Sequence, residues 1–227
     1  MDIETVPEHY KFNDLEPRSM DLWTAKTRWI QEREQKSPEE IYERAGIYAE
    51  FAKIICISLG YFHEQDGERS FRLTSLYGHE EKGILQSLTA LLKKFFRDRD
   101  ALLCAHNGKE FDFPFIARRF IINGLKLPDV VDLAGKKPWE VQHLDTMDLW
   151  KFGDYKHYTS IDLLTHCLGI SSPKSDITGA DVARVYYEDQ DLERIKEYCE
   201  RDVISIAQVM LKFKNLDLME EKEVVRI

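Results

Sequence analysis

Three short stretches carry side chains whose types and spacing suit a shared chemical task. Asp2 and Glu4 flank Ile3 in Met-Asp-Ile-Glu-Thr (1–5), and Asp112 lies in Asn-Gly-Lys-Glu-Phe-Asp-Phe-Pro (107–114). Tyr198 and Asp202 share Tyr-Cys-Glu-Arg-Asp (198–202). On a strand, residues i and i+2 point to one face, so Asp2 and Glu4 point the same way. Two carboxylates placed like this repel, and the usual compensation is a hard divalent cation with oxygen ligands. Tyr198 and Asp202 fall a helical turn apart on one face, and Asp112 stands at an expected strand-to-helix junction. Together the four carboxylates would surround a space for two divalent ions. Two ions about 3.5–4 Å apart stabilise both the attacking and the leaving oxygen of a phosphoryl displacement.

Taken singly, each stretch has an ordinary explanation. Asp112, two residues before Pro114, suits a helix N-cap. Tyr198 and Asp202 suit the polar face of an amphipathic helix, Asp2 and Glu4 an acidic terminus, and Phe111 a core. Lys151, Lys156, His157 and Tyr158 form either a solvated loop or a set of phosphate contacts. His106, His143 and His166 lack metal-ligand spacing and read as structural, and Asp145 and Asp148 as local caps or pairs. Only the joint occurrence of the first five residues favours a site.

Asp-x-Glu, Asn-x-x-x-Phe-Asp and Tyr-x-x-x-Asp, in this order, resemble the DEDDy class of 3′–5′ exonucleases. Within that class the chain is most similar to bacterial stand-alone proteins related to the proofreading exonuclease domain of DNA polymerase B. The likeness runs over roughly residues 1–212 and includes His-Leu-Asp-Thr-Met-Asp-Leu-Trp (143–150) and Tyr-Cys-Glu-Arg-Asp-Val (198–203). The resemblance implies an α/β, ribonuclease H-like fold with a mixed central sheet flanked by helices. It implies metal-dependent hydrolysis of phosphodiester bonds at 3′ ends of single-stranded DNA or RNA, releasing nucleoside 5′-monophosphates. By resemblance, Asp2 bridges both ions, Glu4 and Asp202 complete the first, and Asp112 holds the second. Mg²⁺ is the expected ion, with Mn²⁺ able to substitute. Tyr198 orients the attacking water, Thr5 and Asn107 hold the 3′-terminal nucleotide, and Phe111 stacks on a base. The alternative is a nucleic-acid-binding module on the same fold with little catalysis. No spacing separates DNA from RNA or names a polymerase or repair partner. In one respect the chain departs from the pattern: only Met1 precedes Asp2, where relatives carry several apolar residues.

A length of 227 residues and a hydrophobic fraction of 43% support a real core. The organisation expected is one domain over 1–213 with a helical insertion at about 6–50, followed by a charged, peripheral tail at 214–227. The net charge of −9 and pI near 5.4 argue against gripping duplex DNA through the whole surface. They leave room for an acidic metal site with a local basic rim. No apolar run approaches the roughly 18–20 residues of a membrane span. No secretory pattern is evident, and the four cysteines (56, 104, 167 and 199) are scattered. A reducing cytoplasm with buried free thiols is therefore expected.

The elements that must position the site follow from pattern. Residues 53–63 are a near-continuous apolar run, a strand buried on both faces. Gln65-Asp66-Gly67 turns the chain, and 70–77 returns as its hairpin partner. Ile84, Leu85, Leu88, Leu91, Leu92, Phe95 and Phe96 recur at helical spacing over 80–98. A strand over 101–106 leads to a helix at about 113–123, and a short strand is expected over 141–146. Further helices are expected at about 20–34 (capped by Ser19), 160–168, 179–188 and 189–213, with Ser37-Pro38 opening another.

Overall fold

The computed structural model describes residues 1–97, 101–154, 158–171 and 176–227. Its frame is a four-stranded sheet of β1 (Asp2–Pro7), β2 (Ala52–Gln65), β3 (Glu68–Tyr77) and β6 (Val224–Arg226), lying in the order β1-β2-β3-β6. Strand β1 (Asp2–Pro7) pairs antiparallel with β2 (Ala52–Gln65), Asp2 opposite Ser58 and Glu4 opposite Cys56. Strand β2 turns through Asp66 and Gly67, both at positive φ (55° and 81°), and returns as β3 (Glu68–Tyr77). Two consecutive positive-φ residues match the twist of a two-residue hairpin.

A bulge decides which way β2 presents its side chains. The register shifts between Glu4 and Thr5, so Ile55 has no partner on β1. Ile54 and Ile57 pack on one side with Ile3, while Ile55 packs on the other with Val6. One extra residue thus lets a run of isoleucines fill two cores. The first core is completed by helix α3 (Glu81–Phe95) and helix α4 (Asp112–Ile122), through Ile84, Leu85, Leu88, Phe113, Ile116 and Phe120. Each such side chain contributes about 1.5–3 kcal/mol when fully buried.

Across the opposite face lies helix α8 (Leu192–Phe213), started by Asp191, whose carboxylate accepts the Arg194 N–H at 3.1 Å. Ile195, Cys199, Val203 and Ile206 bury one stripe of it, which leaves Tyr198 and Asp202 on the adjoining edge. That edge runs beside β1. Segment 6–50 folds over the end of β1 as helix α1 (Pro17–Glu34), helix α2 (Pro38–Ile41) and a 3-10 turn (Tyr42–Ile47). Trp23, Ile41, Tyr42, Ala45 and Phe51 give it a core of its own. Ser37 opens α2 as expected: its hydroxyl accepts the Glu40 N–H at 3.2 Å, and Glu40 accepts the Ser37 N–H at 2.7 Å.

Several elements differ from the sequence expectation. Helix α1 starts at Pro17 in the first helical position, so Ser19 is not its cap. The strands expected over 101–106 and 141–146 shrink to β4 (Cys104–Ala105) and β5 (Leu144–Asp145), a separate parallel pair. The Leu103 N–H goes to the His143 ring at 3.3 Å rather than to a strand neighbour, and Asn107, at φ 62°, turns the chain away. The helix expected at 160–168 forms as α6 (Ile161–Cys167), whereas the one expected at 179–188 is a single turn, α7 (Val182–Arg184), that widens into a π-turn (Val185–Asp189). Residues 214–227 are not peripheral. Met219 is buried, and β6 (Val224–Arg226) pairs parallel with β3. Among the described residues, no helix is long and apolar enough to cross a membrane. The cysteines are free. Cys56 and Cys199 are buried, but Cys167 is exposed, against expectation.

Candidate active site

The backbone pairing of β1 with β2 fixes Asp2 and Glu4 on the α8 side of the sheet, with Ile3 buried on the opposite side. Ligand atoms of Asp2, Glu4 and Cys199 lie within 4.8 Å of one another. The Cys199 thiol donates to the Asp2 carbonyl at 3.5 Å, tying α8 to β1 beside the carboxylates. Burial, with Cys56 alongside, raises the Cys199 pKa, so this sulfur stays a thiol.

Asp112 arrives from a loop built for it. Asn107 occupies the left-handed region (φ 62°), which Asn tolerates better than most residues. Gly108 passes so close to Ala105 that an added Cβ would sit 2.4 Å from the Ala105 Cβ. The buried carboxylate of Asp145 holds this loop: it accepts the N–H groups of Asn107 (2.9 Å) and Lys109 (3.0 Å). The same carboxylate caps helix α5 (Thr146–Lys151) through Met147 at 3.0 Å and Asp148 at 3.3 Å. The local cap is the role expected of Asp145; its reach across the fold to the Asn107 loop has no signal in the neighbouring sequence.

The carboxylates act on one another's ionisation. Burial raises the Asp2 pKa well above the usual range, and the charges of Asp202 and Asp112 raise it further. Burial likewise lifts Glu4, followed by Asp2 and Asp202. Asp112 is pushed up to about 7 by burial, although the N–H of Ile3 in β1 bonds to it and pulls the other way. Asp202 is pushed up to about 6 by burial, against the hydrogen bond it accepts from the Tyr198 hydroxyl and the nearby charge of Arg201. The Tyr198 phenol is raised by burial and by Asp202, Glu4 and Asp2. Two carboxylate oxygens, Asp2 Oδ2 and Asp112 Oδ1, are buried with no hydrogen-bond partner among the described residues. Asp2, Tyr198 and Asp202 open onto a cleft of about 620 Å³ that His106, Tyr158 and Arg201 also line.

The remaining expected residues scatter in role. The Thr5 hydroxyl donates to the Gly46 carbonyl at 2.7 Å, fastening β1 to segment 6–50. Asn107 Oδ1 is buried without a partner among the described residues, close in sequence to Asp112. Phe111 packs against Phe115, centroids 5.4 Å apart, and against the first core. Lys151 pairs with Asp148 at 3.3 Å, while Lys156 and His157 lie outside the described residues. His106 is kept neutral by burial. Its ring lies 2.8 Å from both the Thr159 carbonyl and the Thr146 hydroxyl. The carbonyl can only accept, so Nε2 carries the proton and Nδ1 takes the hydroxyl's. His143 is buried, its Nε2 2.7 Å from the Val130 carbonyl.

Comparison with protein families matches residues 47–225 to the family described as "Predicted 3'-5' exonuclease related to the exonuclease domain of PolB". Asp112, Tyr198 and Asp202 lie inside the matched span; Asp2 and Glu4 precede it and join the others through the β1–β2 pairing. The chain belongs to this family of predicted 3′–5′ exonucleases related to the PolB exonuclease domain.

Proposed function

We propose that the chain is a divalent-cation-dependent 3′–5′ exonuclease that removes nucleoside 5′-monophosphates from single-stranded DNA or RNA ends. The observation that carries this reading is the pair of buried, unpartnered oxygens, Asp2 Oδ2 and Asp112 Oδ1, within a group of four mutually repelling carboxylates. Leaving such groups without a donor or a counter-charge costs free energy, so they suit a cation. The donors are carboxylate oxygens, and the neighbouring Cys199 keeps its proton, which matches Mg²⁺ or Mn²⁺ rather than a thiophilic ion. Asp2, Glu4, Asp112 and Asp202 would hold two such ions, whose chemistry is to polarise a phosphoryl oxygen and lower the pKa of bound water.

The chain's own residues supply orientation. The raised pKa keeps the Tyr198 phenol protonated throughout the neutral range, so it is no general base. It donates to Asp202, and its lone pairs remain to align a water toward the phosphorus. The Asn107 amide, unpartnered on its oxygen, suits a sugar hydroxyl at the strand's end. Matched DNA and RNA oligonucleotides, blocked at either end, test the proposal. Single-nucleotide shortening stopped by a 3′ block, untouched by a 5′ block and abolished by a chelator is expected. Internal cuts, 5′ shortening or binding without any cleavage would refute it, the last favouring a binding module.

A further inference from the structure

Bases of a single strand are held on aromatic faces, and the ring expected to serve here is engaged elsewhere: Phe111 packs against Phe115 and the first core. The cleft offers another. Tyr158 lines it together with Asp2, Tyr198 and Asp202, and is 69% exposed. Of the other rings lining the cleft, Tyr198 gives its hydroxyl to Asp202, and His106 uses both ring nitrogens. The Tyr158 side chain has no hydrogen-bond or ring partner among the described residues. Its backbone, by contrast, is held by the residues that follow. The His106 Nε2–H donates to the Thr159 carbonyl at 2.8 Å, and the Ser160 hydroxyl caps α6 by accepting the Leu163 N–H at 3.2 Å. His106 adjoins Asn107, so this tether fixes Tyr158 relative to the loop that carries Asp112. Partial burial raises the Tyr158 pKa, and the charges of Asp112 and then Asp145 raise it further, as expected of a ring near that loop. An exposed aromatic on a held backbone offers contact area at a low entropic cost, with two side-chain torsions to order.

Resting on the exonuclease reading, we infer that Tyr158 is a substrate-binding residue whose ring stacks on a base near the 3′ end of the strand held in the cleft. A π-face accepts any base, so the contact is blind to sequence and serves DNA and RNA alike. It also adds affinity without using charge, in a cleft lined by the carboxylates of Asp2, Asp162 and Asp202.

The test is binding of 5′-fluorescein-labelled DNA and RNA 12-mers by anisotropy, over a range of salt, with Ca²⁺ replacing Mg²⁺ to slow turnover. Wild type, Tyr158→Phe and Tyr158→Ala are compared, each checked for an unchanged melting temperature. A second set of oligonucleotides carries an abasic nucleotide at each of the last three positions in turn. Tyr158→Ala should weaken binding of the intact strands by about five- to 150-fold, the range of one lost base–aromatic stack. Tyr158→Phe should bind like wild type, because the ring is kept. At the stacked position, the abasic nucleotide should bring wild type down to the level of Tyr158→Ala and leave Tyr158→Ala unchanged. The slope of log affinity against log salt should be the same in all three proteins, since no phosphate charge is neutralised. Unchanged affinity in Tyr158→Ala would overturn the inference. So would Tyr158→Phe binding as weakly as Tyr158→Ala, or a shallower salt slope, since either makes the hydroxyl a polar or phosphate contact. A Tyr158→Ala loss that persists in full with an abasic nucleotide at every one of the three positions would overturn it too. Cleavage by wild type with Tyr158-independent binding refutes the stack alone. Tyr158-dependent binding with no cleavage in Mg²⁺ refutes the hydrolytic reading and leaves the stack standing. A wild type that neither binds nor cleaves overturns both.

Discussion

Asp2 concentrates the conflict between folding and chemistry. Its carboxylate is desolvated and faces Asp202 and Asp112. Two unit charges about 5 Å apart at an effective dielectric near 20 repel by roughly 3 kcal/mol before relaxation. Solvent and partial protonation absorb part of this, so Asp2→Asn should stabilise the metal-free protein by about 1–2 kcal/mol. It should also nearly abolish nuclease activity and shrink the rise in melting temperature on adding Mg²⁺. Thermal melts with and without metal check the sign; a structural cap or ion pair would give a lower melting temperature instead. Tyr198→Phe removes one hydroxyl and leaves packing intact. Its kcat should fall by roughly 10²–10⁴ with little change in KM, whereas a purely raised KM would make Tyr198 a binding group. The pH dependence follows from the same carboxylates. Asp112 at about 7 and Asp202 at about 6 lie above their unfolded values near 4. Groups with raised folded pKa values stabilise the fold when protonated, and that stability is lost as pH rises through the folded pKa. The metal-free protein should therefore melt higher at pH 5 than at pH 8. Saturating Mg²⁺ should reduce or reverse the difference, and a metal-free protein more stable at pH 8 would contradict the site's electrostatics.

Between elements, the strongest tie is one that local sequence does not announce. The buried Arg119 on α4 donates twice to Glu81 on α3, at 2.8 and 2.6 Å, and once to the Ala49 carbonyl at 2.8 Å. Glu81 also accepts the Ile54 N–H of β2 at 2.8 Å and the Asn123 amide at 2.7 Å. Removing one partner strands a buried charge, so Arg119→Ala should cost about 3–5 kcal/mol, measurable by urea denaturation. A loss under 1 kcal/mol would show that the network is dispensable. What was legible at this scale was periodic. The isoleucine run of β2, the Asp-Gly turn and the leucine stripe of α3 each satisfy a local rule. The bulge at Ile55, the shortening of β4 and β5, and the Glu81–Arg119 pair depend on partners far away in sequence, and local patterns carry no information about them. The site was legible for the same reason in reverse: Asp2 with Glu4, and Tyr198 with Asp202, each lie within one periodic element. The loop-borne Asp112 needed the resemblance to join them, and the anchoring of its loop by Asp145 became visible only in three dimensions.

For the whole molecule, the central sheet brings a strand near one terminus, β1, and a strand near the other, β6, into one surface, so the site rests on contacts spanning the chain. The segment Val224–Arg226 is too short and too charged to announce a strand, yet it pairs with β3. Arg69 holds Glu223 at 2.9 Å, and Arg226 holds the buried Glu200 of α8 at 2.8 Å. Removing residues 217–227 should lower the melting temperature and loosen α8, which carries Tyr198 and Asp202. Hydrogen exchange that speeds up in α8 as well as β3 would bear this out, and unchanged exchange in α8 would limit the tail to a local role. If the buried carboxylates hold divalent cations for strand cleavage, Asp202 is the ligand whose loss should be felt most cleanly. The measurement is the Mg²⁺-dependent cleavage rate of a 5′-labelled oligonucleotide by wild type and Asp202→Asn, each shown to be folded by its melting curve. Cleavage by Asp202→Asn should fall by several orders of magnitude with the fold intact; near-native Mg²⁺-dependent cleavage would contradict its role as a metal ligand.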